Sequence, residues 1–79
     1  MEAISSSIIR QARGTYAGFR RALRSTPHTR AVFGRLTVYK FHDGSAVAEE
    51  GYNPCYGFWS EFRYYLNEED WDKVLIFMS

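Results

Sequence analysis

Apolar residues recur at helical spacing through the first third of the chain. At about 100° per residue, one stripe collects the following side chains: Ile8, Ile9, Ala12, Tyr16, Phe19 and Leu23. Ser5-Ser6-Ser7 supplies hydroxyl groups that can cap a helix start. Pro27 ends the segment, because proline disfavours a helical conformation in the residue before it. The pattern predicts one amphipathic helix from about Ile8 to Arg24.

The opposite side of this predicted helix is basic. It carries Arg10, Arg13, Arg20, Arg21 and Arg24. Gly14, Gly18 and Ala22 line one flank at a spacing of four residues. Because each glycine costs about 1 kcal/mol inside a helix, this small-residue strip predicts that another backbone approaches the helix closely.

A hairpin is predicted in the middle of the chain. Residues 31–42 and 45–49 are rich in strand-forming types, and Asp43-Gly44 lies between them. An Asp-Gly pair in this setting favours a two-residue hairpin loop, which would pair Phe41 with Ala46. Both faces of the hairpin keep apolar groups, so the pattern leaves open which face the helices cover.

A second helical pattern follows the hairpin. Asn53 is a capping residue, and Pro54 suits the first helical position. The apolar stripe of this segment comprises Cys55, Phe58, Trp59, Phe62, Tyr65 and Leu66. Tyr56 and Tyr64 point away from the stripe, and we expect the helix to end at Asn67.

The C-terminal residues predict an acidic turn and then a strand. The turn comprises Glu68, Glu69 and Asp70, and the strand runs from Lys73 to Met78. The order of elements is therefore α-β-β-α-β, and a right-handed crossover would place the last strand beside the first. We expect one small α+β domain over residues 1–79, with a three-stranded mixed sheet and two helices packed on one face.

The composition is that of a small globular protein. The 79 residues lie near the lower limit for one hydrophobic core, and an aromatic content of 18% adds buried area to it. The single cysteine, Cys55, excludes an internal disulfide and is typical of a reducing compartment. The longest apolar run, residues 74–78, is too short to cross a membrane. We therefore expect a cytoplasmic protein that has no membrane partner.

Charge is divided between the two halves of the chain. Residues 1–42 carry seven arginines and one lysine against Glu2 alone, which gives a net charge of +7. Residues 43–79 carry eight carboxylates against Arg63 and Lys73, which gives −6. Such a division is typical of a protein with a charged partner, but it also arises when the two halves face each other and cancel.

The residue pattern contains no recognisable catalytic motif. His28 and His42 are fourteen positions apart and have no neighbour at metal-ligand spacing. Cys55 lies on an apolar stripe, and the glycine spacing matches no nucleotide-binding fingerprint. We expect a protein that is not an enzyme and that has no cofactor and no metal.

Binding is the remaining function, and two partners fit the pattern. Arginine and tyrosine dominate protein interfaces, and they point to a larger protein or nucleoprotein complex. The candidate contacts are Arg10, Arg13, Arg20, Arg21, Arg24, Tyr56, Tyr64, Glu68, Glu69, Asp70 and Asp72. Trp71 is either a core anchor or a further contact, and the small-residue strip leaves room for a homodimer.

Direct RNA or DNA binding is the alternative. The arginine side of the first helix, with Arg30, Arg35 and Lys40 nearby in sequence, would follow a phosphate backbone. The aromatic side chains Phe33, Tyr39 and Phe41 would then stack on bases if the sheet is open on their side.

In size, charge clustering and lack of a catalytic motif, the chain resembles the small phage-encoded inhibitors of bacterial defence, including anti-CRISPR proteins. The resemblance is one of general character and involves no sequence motif, so it assigns no residue a role. It implies a stoichiometric inhibitor or adaptor that docks a charged, aromatic surface onto a nucleoprotein machine.

Overall fold

An antiparallel sheet with helices on both of its faces makes up the fold. The computed structural model describes residues 5–51, 53–55 and 66–79. The elements in chain order are α1 (Ser6–Ala12), α2 (Tyr16–Ser25), β1 (His28–Phe33), β2 (Leu36–Phe41), β3 (Ala46–Glu50), β4 (Asn53–Cys55) and α3 (Glu68–Met78). The predicted α+β class is confirmed, while the arrangement of its elements differs from the prediction.

Two short helices replace the single N-terminal helix that periodicity predicts. Arg13 and Gly14 adopt the left-handed backbone conformation, with φ of 53° and 74°, and this ends α1. The side-chain oxygen of Thr15 then accepts a hydrogen bond from the backbone N–H of Gly18 at 3.0 Å and caps α2. A stop signal and a start signal therefore lie inside the periodic segment.

The apolar stripe survives this break. Ile8, Ala12, Phe19 and Leu23 are all at most 2% exposed and form one core cluster with side chains of the sheet. Gly18 explains how the two helices fit together: a Cβ atom there would lie 2.2 Å from the carbonyl oxygen of Ala12. The close backbone approach that the small-residue strip predicts is therefore made by α1 of the same chain.

The predicted strand over residues 31–42 is itself a hairpin. β1 and β2 pair in antiparallel fashion, with Phe33 opposite Leu36. Gly34 has a φ of 56° at the first central position of this turn, where a type II′ turn requires a positive φ. The prediction of one long strand was wrong because a single glycine, here followed by Arg35, is a weak turn signal.

The hairpin at Asp43-Gly44 is confirmed, but its loop has three residues instead of two. The backbone N–H of Phe41 donates to the carbonyl oxygen of Ser45 at 2.8 Å, and Gly44 has a φ of 87°. This is how a three-residue hairpin loop uses glycine. The register shifts by one residue, so Lys40 pairs with Ala46 where Phe41 was expected to do so.

Among the described residues, the sheet contains four strands in the order β1-β2-β3-β4, and all neighbouring pairs are antiparallel. The prediction of a three-stranded mixed sheet was therefore wrong. Asn53–Cys55 forms β4 where a helix start was expected. Residues 56–65 of the predicted second helix, with Tyr56 and Tyr64, lie outside the described residues.

The C-terminal segment is a helix and not a strand. The side-chain oxygen of Asn67 accepts a hydrogen bond from the backbone N–H of Asp70 at 2.8 Å and caps α3. Val74 and Met78, four residues apart, are buried against the sheet, whereas Ile76 is 74% exposed. The apolar run suggested a strand because short apolar runs have no distinctive period.

The described helices occupy opposite faces of the sheet. One face carries Tyr39, Phe41 and Val47 and packs against α1 and α2. The other face carries Phe33, Leu36, Val38, Ala46 and Ala48 and packs against α3. Both faces are covered because β2 and β3 are apolar on both sides. The shared face was expected for the first helix and the predicted second helix, and residues 56–65 of the latter lie outside the described residues.

Replacement of Gly18 by alanine tests the contact between α1 and α2. Alanine has the higher helix propensity, by about 1 kcal/mol. We nevertheless expect the free energy of unfolding to fall by about 1–3 kcal/mol, because the new methyl group would overlap the Ala12 carbonyl group. Urea denaturation followed by circular dichroism measures the change.

The exposed residue Ala17 provides the matched control in the same helix. Ala17→Ser should change the free energy of unfolding by no more than about 0.5 kcal/mol. A Gly18→Ala variant that is as stable as the native chain would show that α1 and α2 are not held at this distance.

Candidate functional site

Four of the five predicted arginines form an exposed basic surface on the layer of α1 and α2. We call Arg10, Arg13, Arg21 and Arg24 the arginine surface. All four side chains are exposed. No ion pair joins any of them to a carboxylate of the described residues. In this part of the chain the arginine surface is therefore not neutralised internally.

Arg20, the fifth predicted arginine, turns toward the sheet. Its Nη1 atom lies 3.0 Å from the hydroxyl oxygen of Tyr39 and 3.3 Å from Oε1 of Glu49. The Tyr39 hydroxyl group donates to the same carboxylate oxygen. We call these three residues the polar cluster. The side chain of Glu49 is only 7% exposed, so its negative charge is held below the surface by Arg20 and Tyr39.

Burial raises the pKa of Tyr39 above its ordinary value, and the hydrogen bond to Glu49 raises it further. Ionisation would remove the donor of that bond and place two negative charges side by side. The guanidinium groups of Arg20 and Arg30 act in the opposite direction, because they favour the ionised form. The hydroxyl group thus stays protonated to a higher pH than that of an exposed tyrosine.

A shallow pocket opens beside the polar cluster. Its lining includes Tyr16, Arg20, Arg30, Thr37, Tyr39 and Glu49. Burial raises the pKa of Tyr16, as does its interaction with the Glu49 carboxylate. Oε2 of Glu49 makes no hydrogen bond of ordinary geometry to the described residues. The pocket therefore combines two guanidinium groups with one carboxylate, whose Oε1 atom already accepts hydrogen bonds from Arg20 and Tyr39.

The sequence patterns did not indicate the polar cluster. A two-residue hairpin loop would place Tyr39 and Glu49 on opposite faces, whereas the observed register pairs Tyr39 with Val47 and Thr37 with Glu49. A shift of one residue moves a side chain to the other face of a sheet. With the three-residue loop, Tyr39 and Glu49 become diagonal neighbours on one face. The length of the loop therefore determines whether these two side chains can meet.

The predicted acidic contacts lie in the first half of α3. Glu68, Glu69 and Asp72 are exposed, and Asp70 is half-buried. Lys73 is 3.6 Å from Glu69 and 4.0 Å from Asp70. Carboxylates in the first turn of a helix stabilise its positive end, so this group has a structural use. The arginine surface and the acidic group lie on opposite sides of the sheet.

The predicted aromatic stacking surface is not present. Phe33, Tyr39 and Phe41 are each at most 8% exposed, because helices cover both faces of the sheet. Trp71 is half-buried and packs against the core cluster on the α3 side, which favours its interpretation as a core anchor. Bases would find no open row of rings at these positions.

The basic residues predicted to lie near the arginine surface have separate partners. Arg35 is 3.1 Å from Glu50. Lys40 donates to the carbonyl oxygens of Phe77 and Ser79, each at 3.3 Å, at the C-terminal end of α3. A cation at this end of a helix is stabilising. Of the three, Arg30 alone is exposed without an ion pair to a described carboxylate.

Neither histidine belongs to a metal site in the part of the chain that the structure describes, where no three His, Cys, Asp or Glu side chains are grouped around a common point. His28 instead packs edge-on against Tyr39 and Phe41, with ring centroids 5.4 Å and 6.1 Å apart. Its Nδ1 atom is 2.8 Å from the carbonyl oxygen of Thr26. These contacts give His28 a structural role at the start of β1.

No protein-family model matches the chain, and no curated protein or solved structure matches it either. None of the helices in the described ranges has the length and apolar character needed to span a bilayer.

Removal of the Tyr39 hydroxyl group tests the polar cluster. We expect Tyr39→Phe to lower the free energy of unfolding at pH 7 by about 1–3 kcal/mol, because Arg20 and the buried Glu49 each lose a hydrogen-bond partner. Ser25→Ala, which removes an exposed hydroxyl group, is the control and should cost about 0.5 kcal/mol or less.

The raised pKa of Tyr39 predicts that the stability difference between the native chain and Tyr39→Phe depends on pH. Because folding raises the pKa of Tyr39, its contribution to stability is complete below about pH 10, the unfolded value. The contribution is lost as the pH rises through the folded value. The difference in stability between the native chain and Tyr39→Phe should therefore shrink above pH 10 in urea denaturation. A difference that stays constant to pH 11 would contradict this account.

Proposed function

We propose that this chain is a small non-enzymatic binding protein, a stoichiometric inhibitor or adaptor that docks onto a larger protein or nucleoprotein complex. The observation that carries the proposal is the arginine surface, whose four guanidinium groups are exposed and have no carboxylate partner among the described residues. The partner surface is therefore negatively charged.

Self-repulsion makes such a surface costly without a partner. Like charges on one helical layer repel each other, and pairs one turn apart destabilise a helix by a few tenths of a kcal/mol. Arg21 and Arg24 are three residues apart on α2, so they are neighbours on its surface. An anionic partner removes this repulsion and also speeds association through electrostatic steering.

The division of charge across the sheet supports the proposal. If the basic and acidic halves paired with each other, the arginine surface would be neutralised and would offer nothing to a partner. The pairs between the halves are Arg20 with Glu49 and Arg35 with Glu50 among the described residues, and neither includes the arginine surface. The acidic group on α3 already stabilises the positive end of its own helix, so the arginine surface is the principal contact in this proposal.

A matched pair of double variants tests the arginine surface. Arg21→Gln with Arg24→Gln removes two positive charges from it, and Arg35→Gln with Lys73→Gln removes two positive charges elsewhere. Neither pair includes Arg20, because that side chain belongs to the polar cluster. Circular dichroism should show that both variants remain folded.

The variants should be compared in affinity capture from the cells that naturally make this protein, followed by mass spectrometry. We expect one partner that the native chain and the Arg35/Lys73 variant retain and that the Arg21/Arg24 variant loses, with affinity reduced about tenfold or more, since guanidinium groups at an interface often act as hot spots. Retention of that partner by the Arg21/Arg24 variant would contradict the proposal.

Direct RNA or DNA binding is the second candidate, and the unpaired arginine surface favours it as well. A salt titration with labelled random-sequence RNA and DNA separates the two. Micromolar affinity that falls steeply between 50 and 200 mM salt would favour nucleic acid as the partner, because phosphate contacts release counterions. Absence of binding at the lower salt concentration would remove this candidate.

A further inference from the structure

We propose that the pocket beside the polar cluster binds a singly charged oxyanion of the phosphodiester class. The pocket lies at the edge of the part of the sheet that α2 covers. Tyr39 on β2 is buried, whereas Arg30 and Val32 on β1, which share its face of the sheet, are exposed. This site is separate from the arginine surface, since it includes none of the residues of that surface.

The charges in the pocket favour an anion. Arg20 and Arg30 both line it, whereas Glu49 is the one carboxylate among the lining residues of the described chain. Oε1 of Glu49 already accepts hydrogen bonds from Tyr39 and Arg20, and the Glu49 side chain is 7% exposed. The side chain of Arg20 is 40% exposed, so the accessible charge at the mouth of the pocket is positive.

Hydrogen-bond donors remain available at the same place. Arg20 uses Nη1 within the polar cluster, which leaves its other N–H groups for a ligand. Arg30 is exposed, and it lies directly across from Tyr39 in the β1–β2 pairing. The hydroxyl group of Thr37, on the same face, also lines the pocket. Guanidinium groups with a hydroxyl donor are a common combination for phosphate oxygens.

The buried carboxylate decides which phosphate fits. Glu49 stays within the lining, and its carboxylate would repel a second negative charge on the ligand. A phosphodiester carries one negative charge, whereas a phosphate monoester carries nearly two at pH 8. The geometry therefore favours the diester. Val32, which is 56% exposed beside the pocket, offers an apolar contact for the ester groups.

Nuclear magnetic resonance titration at pH 8 tests the proposal with dimethyl phosphate as the diester and methyl phosphate as the monoester. We expect saturable shifts of the backbone amide signals of Arg30, Thr37 and Tyr39 with the diester, and weaker binding of the monoester. Arg30→Gln should weaken diester binding about tenfold or more, through loss of charge-assisted hydrogen bonds.

Arg35→Gln is the matched control, because it removes the same charge from an exposed arginine outside the pocket. It should leave the affinity unchanged within about twofold. Thr37→Val is a second variant that keeps every charge and removes one donor, so it should also weaken binding if Arg30→Gln perturbs the fold. Shifts that do not saturate, equal effects of Arg30→Gln and Arg35→Gln, or tighter binding of the monoester would overturn the proposal.

Two further ligands identify the source of the diester. A dinucleotide has one phosphodiester group, and a twelve-residue single-stranded oligonucleotide has many. If the affinity per chain is equal for both ligands, the pocket serves a small free diester. If the affinity rises with strand length and falls in the Arg21→Gln/Arg24→Gln variant, the source is a nucleic-acid strand. If the Arg21→Gln/Arg24→Gln variant binds the oligonucleotide as tightly as the native chain does, and the dinucleotide still binds, the pocket is supported. That result would contradict only the role proposed for the arginine surface.

Discussion

The burial of β2 and β3 on both faces is the constraint on which the rest of the structure depends. Ala46, Val47 and Ala48 are consecutive residues with no measurable exposure, although neighbouring residues of a strand point to opposite sides. A strand with this pattern needs a cover on each face. A chain of 79 residues supplies both covers with short helices taken from its two ends.

This arrangement also determines where the charges go. The layer of α1 and α2 brings the arginine surface to one side of the sheet, and α3 brings Glu68, Glu69, Asp70 and Asp72 to the other. The sheet between them prevents the two groups from pairing. Exceptions occur where a strand residue reaches a helix or turn, as Glu49 does with Arg20 and Glu50 with Arg35. Exposed charge on both sides is thus a consequence of the same burial that stabilises the fold.

Local patterns predicted the parts of this structure that local interactions determine. The apolar stripe of the first helical segment correctly identified Ile8, Ala12, Phe19 and Leu23 as core, because period 3.6 survives a short break. The break at Arg13-Gly14 was missed, although a glycine followed by the capping residue Thr15 is a stop and start signal. At the C-terminus, apolar residues outweighed Asn67, whose capping position before three acidic residues is typical of a helix start.

Local sequence patterns did not predict contacts between residues that are far apart in the chain, and the reason is physical. Arg20 and Glu49 are 29 residues apart, and their contact depends on the register of β2 against β3. That register follows from one additional residue in the hairpin loop, which the Asp-Gly signal does not specify. The same single-residue shift moved Glu49 from the side of Val38 to the side of Tyr39. A polar site on a sheet is therefore only as predictable as the turn that sets its register.

Arg20 connects the two sites that are inferred for this protein. It lines the pocket through its guanidinium group, and Arg24 of the arginine surface follows one helical turn later on α2. Four residues of helix span about 6 Å, which is less than the screening length of about 8 Å at physiological ionic strength. A negative charge held in the pocket is therefore felt at Arg24. An anion long enough to reach both the pocket and the arginine surface is attracted by each of them, and no change in backbone structure is needed. An anion that fits only the pocket lowers the positive potential at the arginine surface and so weakens the attraction of a partner to that surface.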